Sequence, residues 1–283
     1  MQPTGIARTA DGRDLAFCEW GAPGGTAVLY LHGTPGSRYF RHTGGEYERV
    51  GMRAITFDRP GYGMSTRVPG RTVAKGAHDV AAVADHLGLN RFAVAGASGG
   101  GPYALAAAAA LPDRVSRCAT IAGAGPHDAP DLDIGVGMPP EDVEEWRAVR
   151  TGEWLTGPYY QETRDWVESL TEMPNVSPDH RDMVMQAFRE ALAPGPYGLY
   201  DDHFALQQAW GFDLADVVCP TKVMIAREDI NVPPSHGQWF AAHLPTAEEV
   251  WVEGGHFGPR DEPEERLLAW LASADAGSTT DTA

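Results

Sequence analysis

The stretch Phe92-Ala93-Val94-Ala95-Gly96-Ala97-Ser98-Gly99-Gly100-Gly101-Pro102 decides how the rest of the chain is read. An apolar run of strand character ends in Gly96-Ala97-Ser98-Gly99-Gly100, and an alanine-rich helical run over residues 103–111 follows at once. Alone, a G-x-S-x-G match describes no more than a glycine-rich turn. Between a strand and a helix it describes a sharp corner with the serine at its apex, where a strained backbone lifts Oγ clear of both elements. Gly96 and Gly100 flank Ser98 because strand and helix approach too closely there for a Cβ. The helix N-terminus then directs its open N–H groups toward the space beside Ser98.

Outward from this corner, strands and helices alternate. Residues 6–19 read as a hairpin with Asp11-Gly12 as its turn. Thr26–Leu31 is a continuous apolar run, the pattern of a strand buried on both faces, and it ends in His32-Gly33-Thr34-Pro35-Gly36. Residues 37–50 are expected to be helical in part. Residues 53–57 form a short strand that enters the turn-rich loop Asp58-Arg59-Pro60-Gly61-Tyr62-Gly63-Met64-Ser65. Residues 73–87 have helical period and stop at Gly88. Val115–Ile121 is a further strand. This alternation predicts a parallel sheet with helices on both faces.

The character changes near Gly125. Residues 126–212 are rich in proline and aromatic residues and mostly helical in pattern, and they hold 17 acidic residues against five arginines and no lysine, a balance of −12. That is most of the chain's net charge of −17. The segment reads as an inserted helical lid rather than more sheet. The alternation then resumes with a strand at Thr221–Ala226, a helix over 234–244, a strand over 249–252 and a helix over 263–272. The small, polar run from Ser273 onward is expected to fray.

The 283 residues suit one large α/β domain with an insertion. No run of about 18 apolar residues is present, so no membrane span is expected. Met1-Gln2-Pro3-Thr4-Gly5 lacks a basic patch leading into an apolar core, so no signal peptide is expected. Cys18, Cys118 and Cys219 are an odd number in apolar contexts and read as reduced thiols in the cytoplasm. They share no metal-ligand spacing with histidines, and no metal or cofactor is implied. The negative charge excludes nucleic acid and an anionic membrane surface as partners. Two lysines against 20 arginines, with abundant Ala and Gly, suggest a high-GC bacterial source. Nothing in the sequence sets an oligomeric state.

A serine hydroxyl needs a base in contact, and the base needs an orienting carboxylate. Two loops that follow later strands offer these: Arg227-Glu228-Asp229-Ile230-Asn231-Val232-Pro233 and Glu253-Gly254-Gly255-His256-Phe257-Gly258. Asp229 and His256, like Ser98, lie just past the carboxyl end of a strand, and in an open parallel sheet those ends share the edge where ligands bind. Glu228 and Asp216 are competing carboxylates. His32 reads as structural. The oxyanion donors would be the backbone N–H of Gly99, just after the nucleophile, and that of Thr34, since Pro35 has no N–H.

The chain resembles the α/β-hydrolase superfamily over nearly its whole length, through His-Gly-Thr-Pro-Gly (32–36), Asp-Arg-Pro-Gly-Tyr-Gly-Met-Ser (58–65), Gly-Ala-Ser-Gly-Gly (96–100), Arg-Glu-Asp-Ile-Asn-Val-Pro (227–233) and Gly-Gly-His-Phe (254–257). The order Ser98, Asp229, His256 matches the triad order of that fold. The resemblance implies an α/β fold with a mostly parallel, eight-stranded sheet, a core of residues 1–125 and 213–283 and a helical cap at 126–212. It makes the 58–65 loop structural. The motifs do not specify a substrate. A serine at position 98 disfavours halide cleavage and epoxide opening, which use an aspartate there in this superfamily.

The leading expectation is a carboxylic-ester or related acyl hydrolase acting through an acyl-enzyme. A proline-iminopeptidase-like aminopeptidase is the alternative. The sequence departs from that branch at Thr34, where it has glycine, and at the residue after Ser98, where it has tryptophan. A non-catalytic small-molecule receptor is the third reading, opposed by the intact triad. Val232, Phe257, Trp146, Trp154 and Trp210 are candidate substrate contacts. An aromatic pocket under an acidic lid favours a neutral or cationic hydrophobic small molecule.

Overall fold

The computed structural model describes residues 2–170, 177–257 and 261–273. The tail expected to fray lies outside these residues apart from Ser273. In chain order the strands are β1 (Gly5–Arg8), β2 (Asp14–Gly21), β3 (Thr26–Leu31), β4 (Met52–Phe57), β5 (Phe92–Ala97), β6 (Val115–Ile121), β7 (Thr221–Ala226) and β8 (Ala247–Val252). The α-helices are α1 (Glu46–Arg49), α2 (Gly76–His86), α3 (Gly101–Ala110), α4 (Pro140–Thr151), α5 (Tyr159–Ser169), α6 (Pro178–Leu192), α7 (Tyr197–Leu206), α8 (Pro234–His243) and α9 (Asp261–Ala272). The strands form one eight-stranded sheet in the order β1-β2-β4-β3-β5-β6-β7-β8. β2 runs antiparallel to both neighbours, and every pairing from β4 through β8 is parallel.

The continuous apolar strands have two buried faces. In β3, Ala27, Leu29 and Leu31 face one side while Val28 and Tyr30 face the other, and in β5 Phe92 and Val94 oppose Ala93 and Ala95. The first side packs on α2, α3 and α8, and the second on α1 and α9. Period-two alternation therefore delivers each strand to two cores at once. The alanines of α3 let that helix lie close over the sheet, where Ala104 to Ala108 are buried.

One expectation is met over a short span and one needs correction. Only Glu46–Arg49 of residues 37–50 becomes α-helix, because the backbone N–H of Arg38 is taken by Asp58 Oδ1 at 2.7 Å and Gly45 turns left-handed at φ 77°. The helix expected from residue 73 begins at Gly76, since residues 72–75 form turns instead, with Ala74 N bonding Trp210 O at 2.9 Å.

Among the described residues, four α-helices, α4 to α7, lie between β6 and β7, and they build a hydrophobic cluster that includes Trp154, Val167, Met183, Phe188 and Leu199 and takes in Tyr62. Among the described residues, no helix is long and apolar enough to cross a membrane. The segment is tied to the sheet layer by charge. Arg67 takes Asp201 in a two-point pair at 2.6 and 3.0 Å, and Arg38 reaches Glu190 at 2.6 Å. α7 starts backbone against backbone, since a Cβ on Gly198 would lie 2.4 Å from Gly61 O.

The deepest tie is Asp202 of α7, which is fully buried. Oδ1 accepts from Arg71 Nη2 at 2.6 Å and from the Tyr103 hydroxyl at 2.7 Å. Oδ2 accepts from the Thr34 hydroxyl at 2.5 Å, from Tyr62 at 3.2 Å and from Arg59. Burial by itself would raise this carboxyl, but the charges of Arg59 and Arg71 overcome it and hold the group well below the usual aspartate range.

Asp202→Ala removes the counter-charge of two buried guanidinium groups, which corresponds to a loss of about 3–5 kcal/mol of stability, read as a lower urea midpoint. Breaking the exposed Arg189–Glu168 pair should shift that midpoint far less. A depressed folded carboxyl contributes stability above its unfolded value and loses it as pH falls. The difference between wild type and Asp202→Asn should therefore shrink as the pH drops below about 4. A midpoint for Asp202→Ala equal to wild type would contradict this account.

Candidate active site

Ser98 sits at the apex between β5 and α3 with φ 52°, a left-handed conformation that non-glycine residues rarely adopt. A short 3-10 turn, Ser98–Gly100, joins the two elements. The flanking glycines are required by backbone approach: a Cβ on Gly96 would lie 2.2 Å from Gly100 O, and one on Gly100 would lie 2.3 Å from Leu31 O. Gly33 also comes close from the loop after β3, where an added Cβ would stand 3.3 Å from Ser98 Cβ.

Asp229 follows β7 and is 4% exposed. Its Oδ1 accepts from the backbone N–H of Asn231 at 2.9 Å and of Val232 at 2.8 Å. Its Oδ2 meets His256 Nδ1 at 2.7 Å. A carboxylate can only accept, so Nδ1 carries the proton and Nε2 is left with its lone pair. Glu228 and Asp216, the competing carboxylates, are both solvent-exposed. The glycines before His256 admit a close approach, with a Cβ on Gly255 only 3.3 Å from Glu228 O.

Ser98 and His256 line one cavity of about 800 Å³ that also takes in Thr34, Gly99, Trp146, Val232 and Phe257. Thr34 and Gly99 are in contact range, since a Cβ on Gly99 would lie 2.3 Å from Thr34 Oγ1. Two candidate substrate contacts are not at the cavity. Trp154 packs within the α4–α7 cluster, 1% exposed, with its indole N–H donated to Glu145 Oε1 at 2.8 Å. Trp210 lies in the core beside the sheet, stacked on Phe212 at 6.0 Å, and its indole N–H goes to Leu206 O at 3.1 Å. Both are large apolar surfaces that packing claims before a ligand can. The aromatic wall is made instead by Trp166 and Phe188, which meet Phe257 at 6.2 and 6.5 Å, together with Trp146.

Three other histidines have their charged forms disfavoured by burial. His32 donates from Nδ1 to Gly33 O at 2.7 Å and accepts the Arg59 N–H at Nε2, 3.2 Å, which makes it structural. Burial, with Arg59 nearby, pushes it well below the usual histidine value. His236 accepts from Gly125 N at 2.9 Å and donates to Ile134 O at 3.1 Å, and burial lowers it too. His127 packs on Trp146 at 4.4 Å, and burial lowers it to about 3. Glu141, Asp142, Glu144, Glu145 and Glu162 bring acidic side chains to the cavity. Burial, then Glu145 and Glu141, raise Asp142. Among the described residues, no cluster of three or more His, Cys, Asp or Glu is placed to hold a metal.

Asp202, Arg59 and Arg71 were not legible as site residues. Arg59 donates to the carbonyls of His32 and Gly33 and to Thr34 Oγ1, the last two at 3.0 Å, so this buried group braces the loop that carries Thr34. Only the position of Arg59 inside the 58–65 motif hinted at it.

A family model described as the alpha/beta hydrolase fold matches residues 26–263. A 2-hydroxy-6-oxononadienedioate/2-hydroxy-6-oxononatrienedioate hydrolase of Burkholderia vietnamiensis is 26% identical over 260 residues, covering 85% of this chain and 84% of that protein. The acetyltransferase component of an acetoin cleaving system from Pseudomonas putida is 35% identical over 122 residues, but these span only 32% of its length and 42% of this chain. The thermophilic esterase of Thermogutta terrifontis superposes with a TM-score of 0.69 at 26% identity, covering 95% of this chain and 98% of that one. With the family match running through β3, the Ser98 corner and the loops after β7 and β8, the chain belongs to the α/β-hydrolase family.

Proposed function

We propose that this protein is a serine hydrolase that cleaves a carboxylic ester or related acyl bond of a hydrophobic small molecule. The observation that carries the reading is the 2.7 Å pairing of Asp229 with His256, in one cavity with a serine held at φ 52°. Ser98 Oγ attacks the acyl carbonyl while His256 Nε2 takes its proton. Asp229, fixed by two backbone N–H groups, keeps the imidazole in that tautomer and supports the imidazolium that forms. The N–H groups of Thr34 and Gly99 receive the developing oxyanion. His256 then returns the proton to the leaving alcohol, and water repeats the sequence on the acyl-enzyme.

Residues 126–212 act in this reading as a cap that supplies Trp146, Trp166 and Phe188 to the substrate and excludes water. The acidic lining favours a neutral or cationic ligand. It opposes a dicarboxylate such as the one named for the Burkholderia relative, because Glu141, Asp142, Glu144 and Glu145 would face its charges. The same carboxylates support the second reading, an aminopeptidase that holds a substrate ammonium. Three free, buried cysteines suit a reducing cytoplasm.

A fluorophosphonate probe should label Ser98, and Ser98→Ala should lose both label and turnover. Mass mapping to Ser37 or Ser65 would remove the assignment. Short-chain esters against prolyl-arylamides separate the two readings.

Asp229→Asn should fold normally yet lower kcat by about 10⁴, because the amide favours the wrong imidazole tautomer. Near-wild-type kcat would move the role to another carboxylate.

For a neutral ester, kcat/KM should rise with pH through one ionisation and then level, as the base loses its proton. His256→Ala should erase this limb. Because burial keeps His32, His127 and His236 low, a limb that survived that change would refute His256 as the base without nominating any of these three.

A further inference from the structure

Several described residues bury side-chain polar atoms without a hydrogen-bond partner, but only Gln207 among them lines the cavity, and both its Oε1 and its Nε2 are unpartnered. The residue is 7% exposed. It directly follows α7, and Leu199, His203, Leu206 and Gln207 all reach the cavity, at the spacing of one helical face. Leu206 marks how near this face comes to the reacting centre, since a Cβ on Gly99 would stand 3.1 Å from its Cδ1. Asp202 lies one turn before Leu206 on α7, and its ties to Arg59 and Arg71 keep the helix from turning away.

Packing alone does not account for a glutamine here. Leucine or methionine would fill a similar volume without burying a donor and an acceptor that nothing satisfies. We propose that Gln207 is a substrate-recognition residue, whose amide hydrogen-bonds a neutral substrate group that both donates and accepts, a hydroxyl or a carboxamide, beside the carbonyl under attack. A carboxylate would use only Nε2 and leave Oε1 facing negative charge. An ammonium would use only Oε1. A hydroxyl or carboxamide satisfies both atoms, and rejecting an analogue without it follows from leaving them orphaned again. The proposal deepens the hydrolase reading and rests on it.

The test compares wild type with Gln207→Leu on two isosteric ester pairs, followed by acid release. The pairs are ethyl 3-hydroxybutanoate with ethyl 3-methylbutanoate, and ethyl succinamate with ethyl 4-methylpentanoate. Wild type should prefer the polar member of at least one pair by tenfold or more in kcat/KM, mainly through KM. Gln207→Leu should bring that ratio to about one. A flat ratio in wild type, or a ratio unchanged in Gln207→Leu, overturns the proposal. Loss of both members by one factor also overturns it, since that is a structural effect. Fluorophosphonate labelling keeps the two readings apart: a labelled wild type with a flat ratio sinks Gln207 alone. If wild type neither labels nor cleaves any ester, the hydrolase reading fails. Calorimetric binding of 3-hydroxybutanamide then decides Gln207, with tenfold weaker binding to Gln207→Leu supporting it and equal binding refuting it. Circular dichroism checks the fold, and Gln207→Met replaces a leucine variant that does not form it.

Discussion

The burial of one carboxylate between two arginines holds this architecture together. Asp202 comes from α7, the last helix before the chain returns to the sheet, yet it sits among Arg59, Arg71, Tyr62 and Tyr103 of the sheet layer. Buried charges of this kind are tolerable only as a set, because each removed partner leaves another uncompensated. The loop after β3, the loop after β4 and the start of α3 are therefore positioned by a residue that enters the fold more than a hundred positions after Arg59. Thr34 is part of the same set, so the proposed oxyanion loop depends on the helical segment being docked.

This alters the meaning of the acidic insertion. Two groups of its carboxylates have distinct places. Glu190, Asp201 and Asp202 face inward and pair with Arg38, Arg67, Arg59 and Arg71. Glu141, Asp142, Glu144, Glu145 and Glu162 line the cavity, which Arg41 also reaches. The segment is thus both a clamp and a wall, and α7 contributes to both through Asp202 and the neighbouring Leu199 and Leu206. A lid freely separable from the sheet is incompatible with Asp202 at its observed depth.

Environment also selects among the histidines. His32 and His236 are buried and His127 is half-buried, so desolvation disfavours their charged forms, and two of them spend both ring nitrogens on backbone. His256 has Asp229 on one nitrogen, and its side chain is 9% exposed at the cavity. That combination supports the role proposed for His256.

The local chemistry of the chain was enough to predict the sheet, the Ser98 corner and the loops of Asp229 and His256. Apolar runs such as Thr26–Leu31 and glycines at 96 and 100 act within a few residues, through strand periodicity and backbone approach, and these signals survive folding unchanged. The start of α2 and the irregular path of residues 37–45 were not visible, because contacts with Trp210 and Asp58 outcompete local helical preference. Trp154 and Trp210 could not be told from Trp146, since an aromatic residue bears no mark of which face its helix presents. Asp202 on α7 and Gln207 just past its end, five residues apart, carry no local sequence signal that separates them. Only the tertiary structure decided that one is sealed between arginines and the other left unpartnered beside the cavity, because burial and hydrogen bonding are properties of neighbours that the sequence places far away.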